Sequence, residues 1–219
     1  MPPPKINLFF DIVSPFAYEA FHIIKHNVTF EGVELTLTPM FLGGLLKACG
    51  NSPPVFIKNK AKWITVERLR WARLFDIPMH DELVANFPPN TMHTMRALAL
   101  IPQQDQEQLS RVVERLFHEF FVNRKAIETQ EVFGPILREV LAGETAESVI
   151  QQADTEGKTA LKINTDKAFE TGAFGTPWFV CTTSDGKTDS FWGVDHLGQV
   201  ADFLSLERVV PSRAWRAIM

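Results

Sequence analysis

From Ile6 to Phe10 the chain is apolar and aromatic with little alternation, the pattern of a strand covered on both faces. Pro15 then suits the first turn of a helix, and Phe16, Ala20, Ile23 and Ile24 fall on one helical face. Glu31-Gly32 signals a turn, after which Val33, Leu35 and Leu37 alternate with Glu34, Thr36 and Thr38 as a second strand. The opening forty or so residues spell strand, helix, strand, a unit whose strands run parallel with a right-handed crossover.

Beyond Pro39 the pattern becomes helical. Gly43-Gly44 and Gly50-Asn51-Ser52-Pro53-Pro54 read as chain punctuation. Helical spacing follows over Lys60 to Phe75, from a Thr91 cap through Ala99, and at Leu109, Val112, Val113, Leu116, Phe117, Phe120 and Phe121. It recurs at Val132 to Leu141, Thr145 to Ala153 and Thr155 to Thr171, the last closed by Gly172. Strand character returns at Trp178 to Thr182 and Ser190 to Trp192, joined by the turn Ser184-Asp185-Gly186-Lys187. A final helix is expected from Asp195 to about Leu206, with a polar tail containing Pro211. This order predicts an α/β thioredoxin-like fold interrupted by helices: residues 1–45 and 155–219 form the thioredoxin-like domain, and 46–154 an inserted all-α domain.

Composition narrows the partners. The 219 residues are 45% hydrophobic and 22% charged, with 22 Lys and Arg against 26 Asp and Glu, which disfavours nucleic acid and membrane surfaces. The N-terminal residues lack a secretory signal, which predicts an intracellular protein; Ala217-Ile218-Met219 is a poor relative of a peroxisomal tail, and cytoplasm, mitochondrion and peroxisome stay open. Cys49 and Cys181 are far apart and outside any C-x-x-C, so neither a disulfide framework nor a thiolate metal site is expected. His22 and His26 stand four apart on the first helix, but no third ligand follows, and no metal is expected.

The chemical centre reads as Ser14. It lies between an apolar strand and a helix opened by Pro15, where backbone N–H groups lack partners and favour negative charge. In thioredoxin-like proteins this place commonly holds C-P-x-C; here it is Ser14-Pro15-Phe16-Ala17, without a thiol for disulfide exchange.

Four motifs carry a more specific resemblance: Phe10-Asp11-Ile12-Val13-Ser14-Pro15, Gly50-Asn51-Ser52-Pro53-Pro54, Gly172-Ala173-Phe174-Gly175-Thr176-Pro177, and Phe191-Trp192-Gly193-Val194-Asp195-His196-Leu197. In this order they resemble the kappa-class glutathione transferases and the 2-hydroxychromene-2-carboxylate isomerases, of DsbA-like architecture, from about Lys5 to Leu204. The resemblance implies that Ser14 hydrogen-bonds the glutathione sulfur, with Pro15 and Phe16 lining the same turn. It puts Pro177 in the place of a cis-proline and Thr176 against the cysteinyl amide as an added strand. It assigns Asn51 and Lys60 to the glutathione main chain and glycyl carboxylate, and Val194, Asp195 and His196 to the γ-glutamyl end at the start of the last helix. Two positions depart from the family pattern: Val194-Asp195-His196 stands where Ser-Asp-Arg is frequent, and Phe16 lacks the usual aromatic hydroxyl.

The function implied is transfer of glutathione to a small electrophilic, apolar or aromatic cosubstrate by a homodimer. Two alternatives stay open: a glutathione-dependent isomerase, in which the thiolate adds and leaves, and a non-catalytic glutathione- or peptide-binding module. Each residue also has a plainer reading, Ser14 as a helix cap, Asn51 as a turn former, Lys60 as part of a solvated face and Asp195 as a cap.

Overall fold

A computed structural model describes residues 1–101 and 105–207; the tail with Pro211 and the terminal Ala217-Ile218-Met219 lie outside the described residues. Strands β1 (Lys5–Phe10), β2 (Glu34–Pro39), β3 (Trp178–Thr182) and β4 (Thr188–Trp192) form one sheet in the order β2-β1-β3-β4. β1 pairs parallel with β2, Phe10 opposite Pro39, and antiparallel with β3, Phe9 opposite Trp178; β3 pairs antiparallel with β4, Trp178 opposite Trp192. The ends of β1, β2 and β4 and the beginning of β3 therefore share one edge of the sheet, and the motif-bearing loops leave from it.

Between the first two strands runs α1 (Pro15–His26), and β2 leads into α2 (Leu42–Ala48), α3 (Lys60–Leu74), α4 (Met92–Leu100), α5 (Gln106–Phe121), α6 (Gln130–Val140), α7 (Gly143–Gln152) and α8 (Glu156–Glu170). The chain closes with β3, β4, a 3-10 turn over Val194–His196 and α9 (Leu197–Phe203). This is the expected order of elements.

Strand alternation divides the core. Ile6, Leu8 and Phe10 of β1 pack with Ala17, Ala20, Phe21 and Ile24 of α1 and with Leu197, Val200 and Ala201 of α9. Phe9 points the other way, into a smaller cluster with Met40, Leu45 of α2, Ala168 of α8, Ala173 and Trp178. The apolar stripe of α5 joins the first cluster, and rings cross from insert to α1: Tyr18 stacks on Phe121 at 5.4 Å and on Phe117 at 5.1 Å. Such pairs contribute beyond the area they bury.

Three local expectations are corrected. Gly43 and Gly44 lie inside α2 rather than in a turn, because the Phe41 ring crosses there: a Cβ at Gly43 would meet it at 3.0 Å and one at Gly44 at 3.2 Å. Thr91 stands at the N-cap of α4 but makes no capping bond; its hydroxyl donates to Asp11 Oδ1 at 2.7 Å. The last helix does not begin at Asp195, since Val194–His196 is a 3-10 turn and Asp195 makes no capping bond there. α8 ends as expected: Gly172 at φ +92° lets its own N–H reach Phe169 O and that of Ala173 reach Ala168 O, a Schellman pair.

Candidate functional site

Ser14 is the N-cap of α1. Its backbone is extended (φ −88°, ψ 116°), and its Oγ accepts from Ala17 N at 3.2 Å. That contact occupies a lone pair and leaves the hydroxyl hydrogen free to donate elsewhere. Pro15 carries no N–H and that of Phe16 has no partner among the described residues, so a hydroxyl donor and a bare amide meet at the helix start. Ser14 is 6% exposed.

Asp11 holds this turn, and sequence reasoning assigned it no role. Fully buried, it accepts from Val13 N at 3.1 Å, Leu42 N at 2.9 Å and Thr91 Oγ1 at 2.7 Å, while its backbone carbonyl takes the Ser14 N–H at 3.1 Å. One carboxylate thus ties the β1–α1 turn, the start of α2 and the start of α4 together. Burial pushes its pKa up, and the bonds from Leu42, Thr91 and Val13 pull it down, with burial prevailing. The available signal was a carboxylate embedded in Phe9-Phe10-Asp11-Ile12-Val13, since an acidic residue in an apolar run is buried only when several donors meet it.

Opposite Ser14 at the sheet edge, the Thr176–Pro177 peptide is cis. Thr176 Oγ1 donates to Phe9 O at 3.1 Å, which clamps this loop to the end of β1. The backbone N–H and C=O of Thr176 have no partner among the described residues, as at an unpaired strand edge. Gly193 N donates to Pro177 O at 3.0 Å and so brings the Val194–His196 turn beside the cis-proline. Gly175 passes under Trp192, where a Cβ would lie 2.8 Å from the indole nitrogen, and Phe174 and Trp192 stand 40% and 44% exposed with ring centroids 4.9 Å apart. This aromatic pair stands beside the cis-proline loop and was not singled out from sequence.

Asn51 reaches the same loop from the other side, its Nδ2 donating to Phe174 O at 3.0 Å while its Oδ1 takes Ser52 N at 2.8 Å. The side chain closes its own turn and binds the turn to the cis-proline loop. Lys60, the first residue of α3, is exposed and has no carboxylate partner among the described residues. No contact joins it to the cleft. Val194 is 2% exposed and belongs to the core, whereas Asp195 folds back over Gly193, its Oδ1 3.3 Å from His196 Nδ1.

The structure therefore gathers Ser14, Pro15, Phe16, Thr176, Pro177, Val194, Asp195 and His196 at one sheet edge, with Asn51 bonded to it. Neither cysteine joins them: Cys181 is buried, its thiol pushed up to about 12 by burial, and Cys49 Sγ lies 3.0 Å from Leu45 O. On α1, His22 and His26 face one another at 4.6 Å, and His26 Nε2 bonds Glu114 at 2.9 Å. Among the described residues no three His, Cys, Asp or Glu side chains cluster to hold a metal, and no helix is long and apolar enough to cross a membrane.

The comparisons with known proteins bear on the family and the fold. The model of the DSBA-like thioredoxin domain matches residues 5–205. The chain is similar to glutathione S-transferase kappa 2 of Caenorhabditis elegans, 30% identical over 94% of each chain, and to glutathione S-transferase kappa 1 of the same organism, 28% identical over 96% of this chain and 95% of the relative. The crystal form of a 2-hydroxychromene-2-carboxylate isomerase superposes with a TM-score of 0.77 at 20% identity, over 92% of this chain and 94% of the other.

Proposed function

Because this chain belongs to the DSBA-like thioredoxin domain family, and within it to the kappa glutathione S-transferases, we propose that it is a glutathione transferase centred on Ser14. The observation that carries this reading is the Ser14 hydroxyl, held by Ala17 N with its hydrogen free beside the unpartnered Phe16 N–H. A thiol of ordinary acidity is mostly protonated at neutral pH, and lowering it by about two units takes roughly 2.7 kcal/mol of preference for the thiolate. A charge-assisted O–H donor and the positive end of a helix together supply energy of that order. Ser14 stays a donor and forms no covalent bond; the nucleophile is the sulfur that glutathione brings.

Thr176 offers its open N–H and C=O to the cysteinyl residue as an added strand beside Pro177. Asp195 pairs with the ammonium of the γ-glutamyl end. Lys60 answers the glycyl carboxylate as a free cation, and Asn51 shapes the wall between them through Phe174. With Val194 apolar and His196 in the place of a permanent cation, the γ-glutamyl end rests on fewer side-chain donors than the family pattern supplies. The thiolate then attacks a small electrophilic, apolar or aromatic cosubstrate, for which exposed Phe174 and Trp192 are the nearest platform. Two copies of the chain form the working unit, which sedimentation at micromolar concentration tests.

Ser14→Ala tests the centre. The ultraviolet thiolate titration of bound glutathione should move up by one to two pH units, and turnover at neutral pH should fall roughly 10- to 100-fold. An unmoved titration would remove Ser14 from the mechanism. The same thiolate also suits the isomerase outcome, and the glutathione balance separates them: transfer consumes one glutathione per product, whereas isomerisation leaves its concentration constant.

A further inference from the structure

A cleft of about 240 Å³ opens between α2, α4 and α8, on the face of the sheet opposite α1, and Ser14 does not line it. Its floor is apolar: Phe41, Met92, the buried Leu161 and Phe169, the last 46% exposed at the mouth. Its rim carries the cations Arg96, Lys158 and Lys162 against the single carboxylate of Asp166, in a protein whose formal net charge is −4. Two of the cations are already matched, Arg96 by Asp154 at 2.8 Å and Lys162 by Asp166. The ammonium of Lys158 has no acidic partner among the described residues.

We propose that this cleft is a second binding site, for a small anionic amphiphile: an aromatic or branched apolar body bearing one carboxylate or sulfonate. An apolar cavity of about 150 Å³ accepts a benzene ring, so the larger space here suits a two-ring body. The body lies on Phe41, Met92 and Phe169, and its single anion meets Lys158 at the rim. A neutral ligand would leave that ammonium unanswered, and a polyanion would meet Asp166 and Asp154. α8 lies against α4, pressed so close at Gly157 that a Cβ there would lie 2.7 Å from Arg96 O, and the cleft opens beside this contact, with Lys158, Leu161 and Lys162 of α8 and Met92 and Arg96 of α4 lining it.

The site stands independently of the glutathione reading, and the test keeps the two apart. The full chain is titrated with 1-anilinonaphthalene-8-sulfonate at low ionic strength, with and without saturating glutathione, together with Lys158→Glu and Ala48→Trp. Ala48 lines the cleft and is exposed, so the indole fills the space without entering the core. Lys158→Glu should weaken the probe 5- to 10-fold, an effect that shrinks in 0.5 M salt as exposed charges are screened. Ala48→Trp should abolish the saturable phase, glutathione should leave it unchanged, and the uncharged N-phenyl-1-naphthylamine should bind at least 5-fold more weakly than the sulfonate and ignore Lys158→Glu. Equal probe affinity in wild type and both variants would overturn the proposal, because the dye would then be resting on another surface such as exposed Phe56 and Trp63. Displacement by glutathione would overturn it too, as would a change of sedimentation coefficient in Lys158→Glu, which would mean that a second copy of the chain fills the cleft.

Discussion

The carboxylate of Asp11 sits without solvent contact among three donors, and Ser14 is placed by the turn it anchors. Removing it leaves Val13 N, Leu42 N and Thr91 Oγ1 buried and unanswered, each a penalty of about 1–3 kcal/mol. Asp11→Ala should therefore lower unfolding stability by about 3–5 kcal/mol in urea titrations, whereas Ser14→Ala, which loses a single capping bond, should cost about 1 kcal/mol. Glu19 presents the opposite case: a fully buried carboxyl with neither oxygen hydrogen-bonded, near Arg68, whose two terminal nitrogens donate to the carbonyls of His80 and Asp81. Burial holds its pKa well above 4.5, against the pull of Arg68. Folded protein then keeps a proton that unfolded chain gives up, so this contribution to stability is full below about pH 4.5 and is lost as pH rises through the folded value. Glu19→Gln, neutral at every pH, should melt above wild type at pH 8 and converge with it toward pH 4.

At the scale of elements, the periodic segments were legible because their patterning is self-sufficient. The stripe Leu109, Val112, Val113, Leu116 and Phe117 is a helix face by spacing alone, and each of these residues is 0% exposed. Gly172 was equally readable, since a glycine after a helical run supplies the left-handed conformation that ends it. Gly172→Ala should cost about 1–2 kcal/mol at φ +92°, seen as a lower denaturant midpoint with an unchanged slope. Gly43-Gly44 was misread for a related reason. Glycine pairs usually break helices, but here the Phe41 ring needs the space and a carboxylate 31 residues upstream, Asp11, takes the first free N–H of α2. Thr91 was misread likewise, because its hydroxyl has a distant acceptor better than its own backbone.

Over the whole molecule, the inserted helices and the thioredoxin-like part share the larger of the two apolar clusters. Tyr18 and Phe10 meet Phe117, Ile12 N contacts Met95 Sδ at 3.5 Å, and Asp11 bonds Thr91, all between residues of 1–45 and residues of 46–154. A boundary crossed by buried rings and a buried carboxylate couples the two parts, although the smaller cluster of Phe9, Met40, Leu45, Ala168, Ala173 and Trp178 lies within the thioredoxin-like part alone. Circular dichroism and tryptophan fluorescence should accordingly report a single coincident urea transition; two separated transitions would make the insert an autonomous domain. The same continuity explains why the cleft is assembled from loops distant in the chain, with β1, β3 and β4 delivering them to one edge.

Periodicity and turn chemistry, which are local, determined the order of strands and helices, the position of Ser14 at a helix mouth and the motif set around it. Only the tertiary structure decided what each polar group meets: that Asp11 rather than a thiol organises the turn, that Thr91 and Asp195 make no caps, that Asn51 binds the cis-proline loop, and that Lys158 faces an open cleft. The reason is physical. An apolar side chain needs only burial, which spacing reports, whereas a polar one needs a particular partner at hydrogen-bond distance, and that partner is brought by the fold from anywhere in the chain.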